Sequence, residues 1–86
     1  MKLKQEFITH QTDAEAVLIP TGKAEFSGIL RGNRTLGMIL SLLTLDRTEE
    51  EIVSTLLERC EASREQVSAD VRKAVECLRE IGALDE

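Results

Sequence analysis

Side chains that could carry out bond chemistry are few in this chain, and they are scattered. His10 is the sole histidine, and no serine, cysteine and acid are spaced around it as a nucleophile, base and orienting group would need. Cys60 and Cys77 lie far apart, outside any C-x-x-C pair or histidine-rich stretch, at apolar helical positions that suit buried, reduced thiols. Neither G-x-G-x-x-G nor G-x-x-x-x-G-K-[ST] occurs, so no phosphate cradle or dinucleotide cofactor is indicated. Glu49-Glu50-Glu51 falls in the first turn of a helix, where negative charge suits the helix dipole, and that accounts for the run without catalysis. What remains is main-chain chemistry. Residues 26–31, FSGILR, read as a short strand, and a strand with a free edge presents N–H and C=O groups to which an extended peptide can pair.

That edge has to be built by a small chain. The 86 residues are enough for one domain, 1–86, but leave little core for an enclosed active site. Hydrophobic residues make up 42% and charged residues 31%, as in ordinary soluble proteins. Aromatics are only 2%, so the core must be aliphatic. No apolar run is long enough to span a membrane and the N-terminus lacks a signal-peptide pattern, so a cytoplasmic protein is expected. Residues 1–45 carry five basic and four acidic side chains, net +1, whereas residues 46–86 carry six and twelve, net −6. An acidic C-terminal half repels phosphate backbones, which argues against nucleic acid as a partner.

Gln5 to His10 and Ala16 to Ile19 read as two strands joined by the polar turn Gln11-Thr12-Asp13, hence a hairpin. Pro20-Thr21-Gly22-Lys23 supplies the next turn, and Phe26 to Arg31 the third strand. Along it Phe26, Gly28 and Leu30 share one face, and Ser27, Ile29 and Arg31 the other. Gly28 marks a bulge or a place where another backbone approaches. Gly32-Asn33 ends the strand, and Asn33 or Thr35 caps a helix with the stripe Leu36, Ile39, Leu40, Leu43. Thr48 and Glu51 form a capping box before the stripe Ile52, Val53, Leu56, Leu57, Cys60. Ser63 and Gln66 form a second box before the longest helix, whose stripe is Val67, Val71, Ala74, Val75, Leu78, Ile81, and Gly82 sits where a C-terminal glycine belongs. The expected fold is α+β and winged-helix-like: three antiparallel N-terminal strands followed by three helices that cover one face of the sheet.

The string GILRGNRTLGMILSLL, followed by DRTEEEIVSTLLE and REQVSADVRKAVECLREIGAL, resembles the PqqD family. These are the small peptide chaperones of pyrroloquinoline quinone biosynthesis and related pathways, also called RiPP recognition elements. The resemblance runs over nearly the whole chain. It rests most on Gly28, Leu30, Arg31, Asn33, Thr35 and Gly37, on Arg47-Thr48 with Glu51-Ile52-Val53, and on Asp70-Val71 through Leu78 to Gly82-Ala83-Leu84. Gly32, Leu40 and Cys60 depart from it, standing where the family favours a leucine-like residue and two aromatics. The resemblance implies that the leader segment of a ribosomally made precursor adds as a strand beside the third strand and packs on the third helix. It also implies presentation to a modifying enzyme, often a radical S-adenosylmethionine enzyme. Carried onto this chain, the peptide site would comprise Ser27, Gly28, Ile29, Leu30 and Arg31 with Val67, Val71, Arg72, Val75, Leu78 and Arg79. Two other readings compete. One is a DNA-binding winged helix with Arg64, Arg72 and Arg79 on phosphates, which the charge of its C-terminal half disfavours. The other is a homodimer in which the third strand pairs with its own copy.

Overall fold

The computed structural model describes residues 1–21 and 28–86. Its elements run in the order β1 (Lys2–Leu3), β2 (Phe7–Gln11), β3 (Ala16–Pro20), β4 (Leu30–Gly32), α1 (Arg34–Leu42), α2 (Glu49–Arg59), α3 (Arg64–Glu80) and β5 (Leu84–Asp85). The α+β fold expected from the sequence is present, with an antiparallel β2-β3-β4 sheet preceding the three helices. The hairpin turn closes where polar residues allow it. Thr12 N–H donates to the Glu15 carbonyl (2.9 Å), while the Thr12 hydroxyl accepts from Glu15 N–H (3.2 Å).

Each pleated strand turns alternate residues inward. Phe7, Ala16 and Leu18 are buried beneath the sheet, while Ile8 and Ile19, paired across β2 and β3, face outward. The helices close over the inner face. Leu18, Ile39, Leu40, Leu43, Ile52, Leu56, Val71, Val75 and Leu78 are fully buried, and the described residues bury no polar or charged side chain. The core is aliphatic apart from Phe7, as the composition requires. Close approach of α1 to the sheet depends on small residues: a Cβ added at Gly37 would lie 3.2 Å from the Ala16 Cβ and 3.1 Å from Gln11 Oε1.

Helix ends follow their capping residues. Asn33 is the N-cap of α1, its side-chain oxygen accepting from Leu36 N–H (3.1 Å). At α2 the capping box is complete, with the Thr48 hydroxyl accepting from Glu51 N–H (3.1 Å) and Glu51 Oε1 accepting from Thr48 N–H (2.9 Å). At α3 only half of the expected box forms. The Ser63 hydroxyl accepts from Gln66 N–H (3.1 Å), but the Gln66 side chain donates its amide N–H forward to Asp70 (3.0 Å) and is turned away from the Ser63 N–H from which it would have to accept. The end of α3 is a Schellman turn: Gly82 N–H donates to the Arg79 carbonyl, Ala83 N–H donates to the Leu78 carbonyl, and Gly82 has φ +73°.

The Thr48 hydrogen bonds hold the Glu51 carboxyl below its ordinary value of 4.5. A carboxyl lowered on folding contributes stability that is present above its unfolded value and is lost as pH falls through the folded one. Thr48→Ala should therefore destabilise the fold by about 1 kcal/mol near neutral pH. Because the hydroxyl supports the lowered carboxyl, the gap to wild type should narrow in acid. Urea unfolding of both chains at about pH 7 and about pH 3 checks this.

A second, two-stranded sheet was not expected from the sequence. β1 pairs antiparallel with β5, Lys2 opposite Asp85 and Leu3 opposite Leu84. Leu3 N–H also donates to the Leu43 carbonyl and Lys4 N–H to the Ala83 carbonyl. The Met1 amine donates to Asp46 Oδ1 (2.6 Å), and this contact lowers the Asp46 carboxyl below its usual range.

Candidate functional site

β3 is the central strand of its sheet and β4 lies at one side, so β4 has an open edge among the described residues. Its register on β3 places Leu30 opposite Leu18, Arg31 opposite Val17 and Gly32 opposite Ala16. Leu30 is half-buried and packs on the core beside Leu18, whereas Arg31 points outward and is exposed. Alternate residues of an edge strand turn their N–H and C=O groups to the open side.

The expected third strand, Phe26 to Arg31, is corrected in its bounds. Phe26 and Ser27 lie outside the described residues, and β4 covers Leu30–Gly32. Gly28 forms a bend with φ +137°, a backbone that favours glycine, so the chain enters the strand only after Ile29. Gly32, expected to break the strand, is its last residue. A Cβ at Gly32 would collide with Leu36 Cδ2 and lie 2.9 Å from the Leu36 Cβ. Leu36 thus fills the space that a side chain at position 32 would take.

On α3 the structure separates the expected site residues into two sets. Val67, Val71, Val75 and Leu78 are 4%, 0%, 0% and 0% exposed and belong to the core, not to an open wall. The apolar stripe that suggested a peptide wall is consumed by packing against α2 and α1. Arg72 and Arg79 are exposed. Arg79 grips Glu86 through two parallel hydrogen bonds (Nε–Oε2 3.0 Å, Nη2–Oε1 2.7 Å), which raise the guanidinium's pKa and lower the carboxyl's. Beside the buried stripe, Asp70, Ala74, Cys77 and Ile81 form a half-buried flank one or two turns apart. Sequence periodicity did not separate this flank from the core stripe, because the two are adjacent on one helix.

Other candidate groups stay apart. His10 is exposed on the outer face of the sheet, opposite Val17. Cys60 ends α2 and Cys77 lies on α3; both thiols are free, and both are half-buried where full burial was expected. Glu15, which the sequence did not single out, places a carboxylate oxygen 4.0 Å from Arg31 Nη1. Glu15 also lines a polar cleft of about 230 Å³ with Gln11, Thr12, Asp13, Arg34, Gly37 and Met38. None of the described helices is long and apolar enough to cross a membrane.

The family model described as "Coenzyme PQQ synthesis protein D (PqqD)" matches residues 15–84, from β3 to β5. The chain belongs to the PqqD family. Two solved structures share the fold of this PqqD-family chain over almost its whole length. TbiB1, solved in complex with the TbiA(β) leader peptide, is 25% identical with a TM-score of 0.74, the match covering 99% of this chain and 100% of that one. Lasso peptide synthetase B1, solved complexed with the leader peptide, is 23% identical with a TM-score of 0.72, covering 95% and 93%. Curated protein sequences give no match.

Proposed function

We propose that this PqqD-family chain is a non-catalytic chaperone for a ribosomally made precursor peptide. It binds the leader segment by adding it as a strand along the open edge of β4, beside α3, and presents the precursor to a modifying enzyme, of which a radical S-adenosylmethionine enzyme is the first candidate. The observation that carries this reading is the end-to-end likeness to TbiB1, a protein solved with a leader peptide. Two features of the chain support it: the open edge of β4, and the scarcity of grouped acid, base and nucleophile side chains. Contacts to the guest would come from Gly28 to Gly32 and from exposed or half-buried α3 residues such as Arg72, Ala74 and Arg79. The buried valines and Leu78 would support the groove from beneath.

A backbone amide NMR titration with the leader of a precursor encoded beside this gene tests it. Shifts should concentrate on Gly28 to Gly32 and along α3. A saturating leader that moves neither region, repeated with a second leader, overturns the reading. Concentration-dependent size with β4 shifts in the absence of peptide would favour pairing of the edge with a second copy instead.

A further inference from the structure

Two side chains face outward at the entrance to β4, and nothing in the core uses them. Ile29, the residue just before β4, is 56% exposed, and Arg31 is exposed two residues later on the outer face of the strand. Between them Leu30 faces inward. The local charge is unlike that of the whole molecule. From Gly28 to Leu45 the chain carries Arg31 and Arg34 and no acidic residue, within a protein of net charge −5. Among the described residues the Arg31 guanidinium makes no hydrogen bond, and its one ion-pair contact is Glu15 at 4.0 Å, the outer limit of such a contact. A guanidinium has five donors and pairs best with a carboxylate at shorter range. Arg31 is therefore an exposed cation with its donors largely unspent, on a strand whose other side is open among the described residues.

We propose that β4 selects guest strands that carry an acidic residue opposite Arg31 and an apolar residue opposite Ile29, with a second apolar residue between them facing inward beside Leu30. This inference rests on the leader-binding reading above and narrows the class of peptide it admits. Every described strand pair is antiparallel, and antiparallel pairing is the more stable. The guest then reads acid–apolar–apolar from its N-terminus. Opposite charges across neighbouring strands attract, and like charges directly opposite repel, so Arg31 acts on specificity through both terms. Glu15 competes for Arg31 from the β3 side and tempers the preference.

The test uses the full chain and synthetic peptides with Glu-Leu-Val, Gln-Leu-Val or Lys-Leu-Val centred in a common Ser/Thr host, read by β4 amide shifts. The Glu peptide should bind roughly five-fold more tightly than the Lys peptide, with the Gln peptide between them. Arg31→Glu should invert that order, and Glu15→Gln should raise affinity for the Glu peptide about two-fold. Both positions are exposed, so neither substitution touches the core. Equal affinities, or a preference for Glu that survives Arg31→Glu, overturn the inference while β4 shifts with a native leader leave the leader-binding reading standing. An absence of β4 shifts with every peptide, native leaders included, overturns both.

Discussion

Leu78→Ala is expected to remove about 2–5 kcal/mol of folding free energy, the range for emptying a packed aliphatic site. Leu78 is 0% exposed, and its carbonyl accepts from Ala83 N–H in the turn that ends α3. Its side chain is held from above by the core and from behind by a fixed backbone, so the cavity has little freedom to collapse. A small domain holds only about 5–15 kcal/mol in total. At roughly 4–8 °C per kcal/mol, the thermal midpoint should fall by about 8–40 °C in a circular dichroism melt. The expected signature is loss of stability with unchanged leader affinity per folded molecule, measured well below the midpoint. A variant that kept its melting temperature but lost the leader would return Leu78 to the groove wall.

Gly37→Leu should be nearly as severe, for the opposite reason. Gly37 lies inside α1, where alanine would ordinarily gain about 1 kcal/mol over glycine. Here a Cβ would already meet the Ala16 Cβ at 3.2 Å and Gln11 Oε1 at 3.1 Å. Those contacts offset the propensity gain, so Gly37→Ala should stay within about 1 kcal/mol of wild type. A leucine has nowhere to go. It must push α1 off β3 and break the bond from the Gln11 amide to the Gly37 carbonyl (3.0 Å), with an overpacking cost of about 1–3 kcal/mol or more. Because α1 begins at Arg34, directly after β4, its displacement should also broaden the amide signals of Leu30 to Gly32. Denaturant midpoints of the three chains, read with their amide spectra, check both parts. A well-folded Gly37→Leu chain with undisturbed β4 signals would contradict the tight α1–β3 contact.

Legibility in the sequence tracks the range of the interactions concerned. The Thr48–Glu51 box, the Asn33 cap and the Gly82 turn depend on residues within a few positions, and each forms as the spacing predicts. The Ser63–Gln66 box was a local inference that failed locally, because the Gln66 side chain donates forward to Asp70 and is turned away from the Ser63 N–H. β1 and β5 left no sequence signal. Two-residue strands have no periodicity to detect, and they exist because the chain ends meet between α1 and α3. Periodicity located the apolar stripe of α3, but it could not say whether Val67, Val71, Val75 and Leu78 face a core or a guest, since both want the same side chains. Burial places them in the core of the free chain, and burial is a tertiary fact. The outer strand of the sheet is legible in the sequence, but its bounds are not, because the positive φ of Gly28 is permitted by the sequence without being dictated by it.

The pairing of β1 with β5 also has a topological consequence. With Lys2 opposite Asp85, the polypeptide enters and leaves the domain at adjacent points, so the folded unit behaves as a closed loop with one gate. A unit of that shape can be spliced into a surface loop of a larger enzyme, both junctions meeting at a single spot, without stretching the host or unthreading the guest. The same geometry permits circular permutation by a short bridge across β1 and β5, with new termini opened elsewhere on the surface.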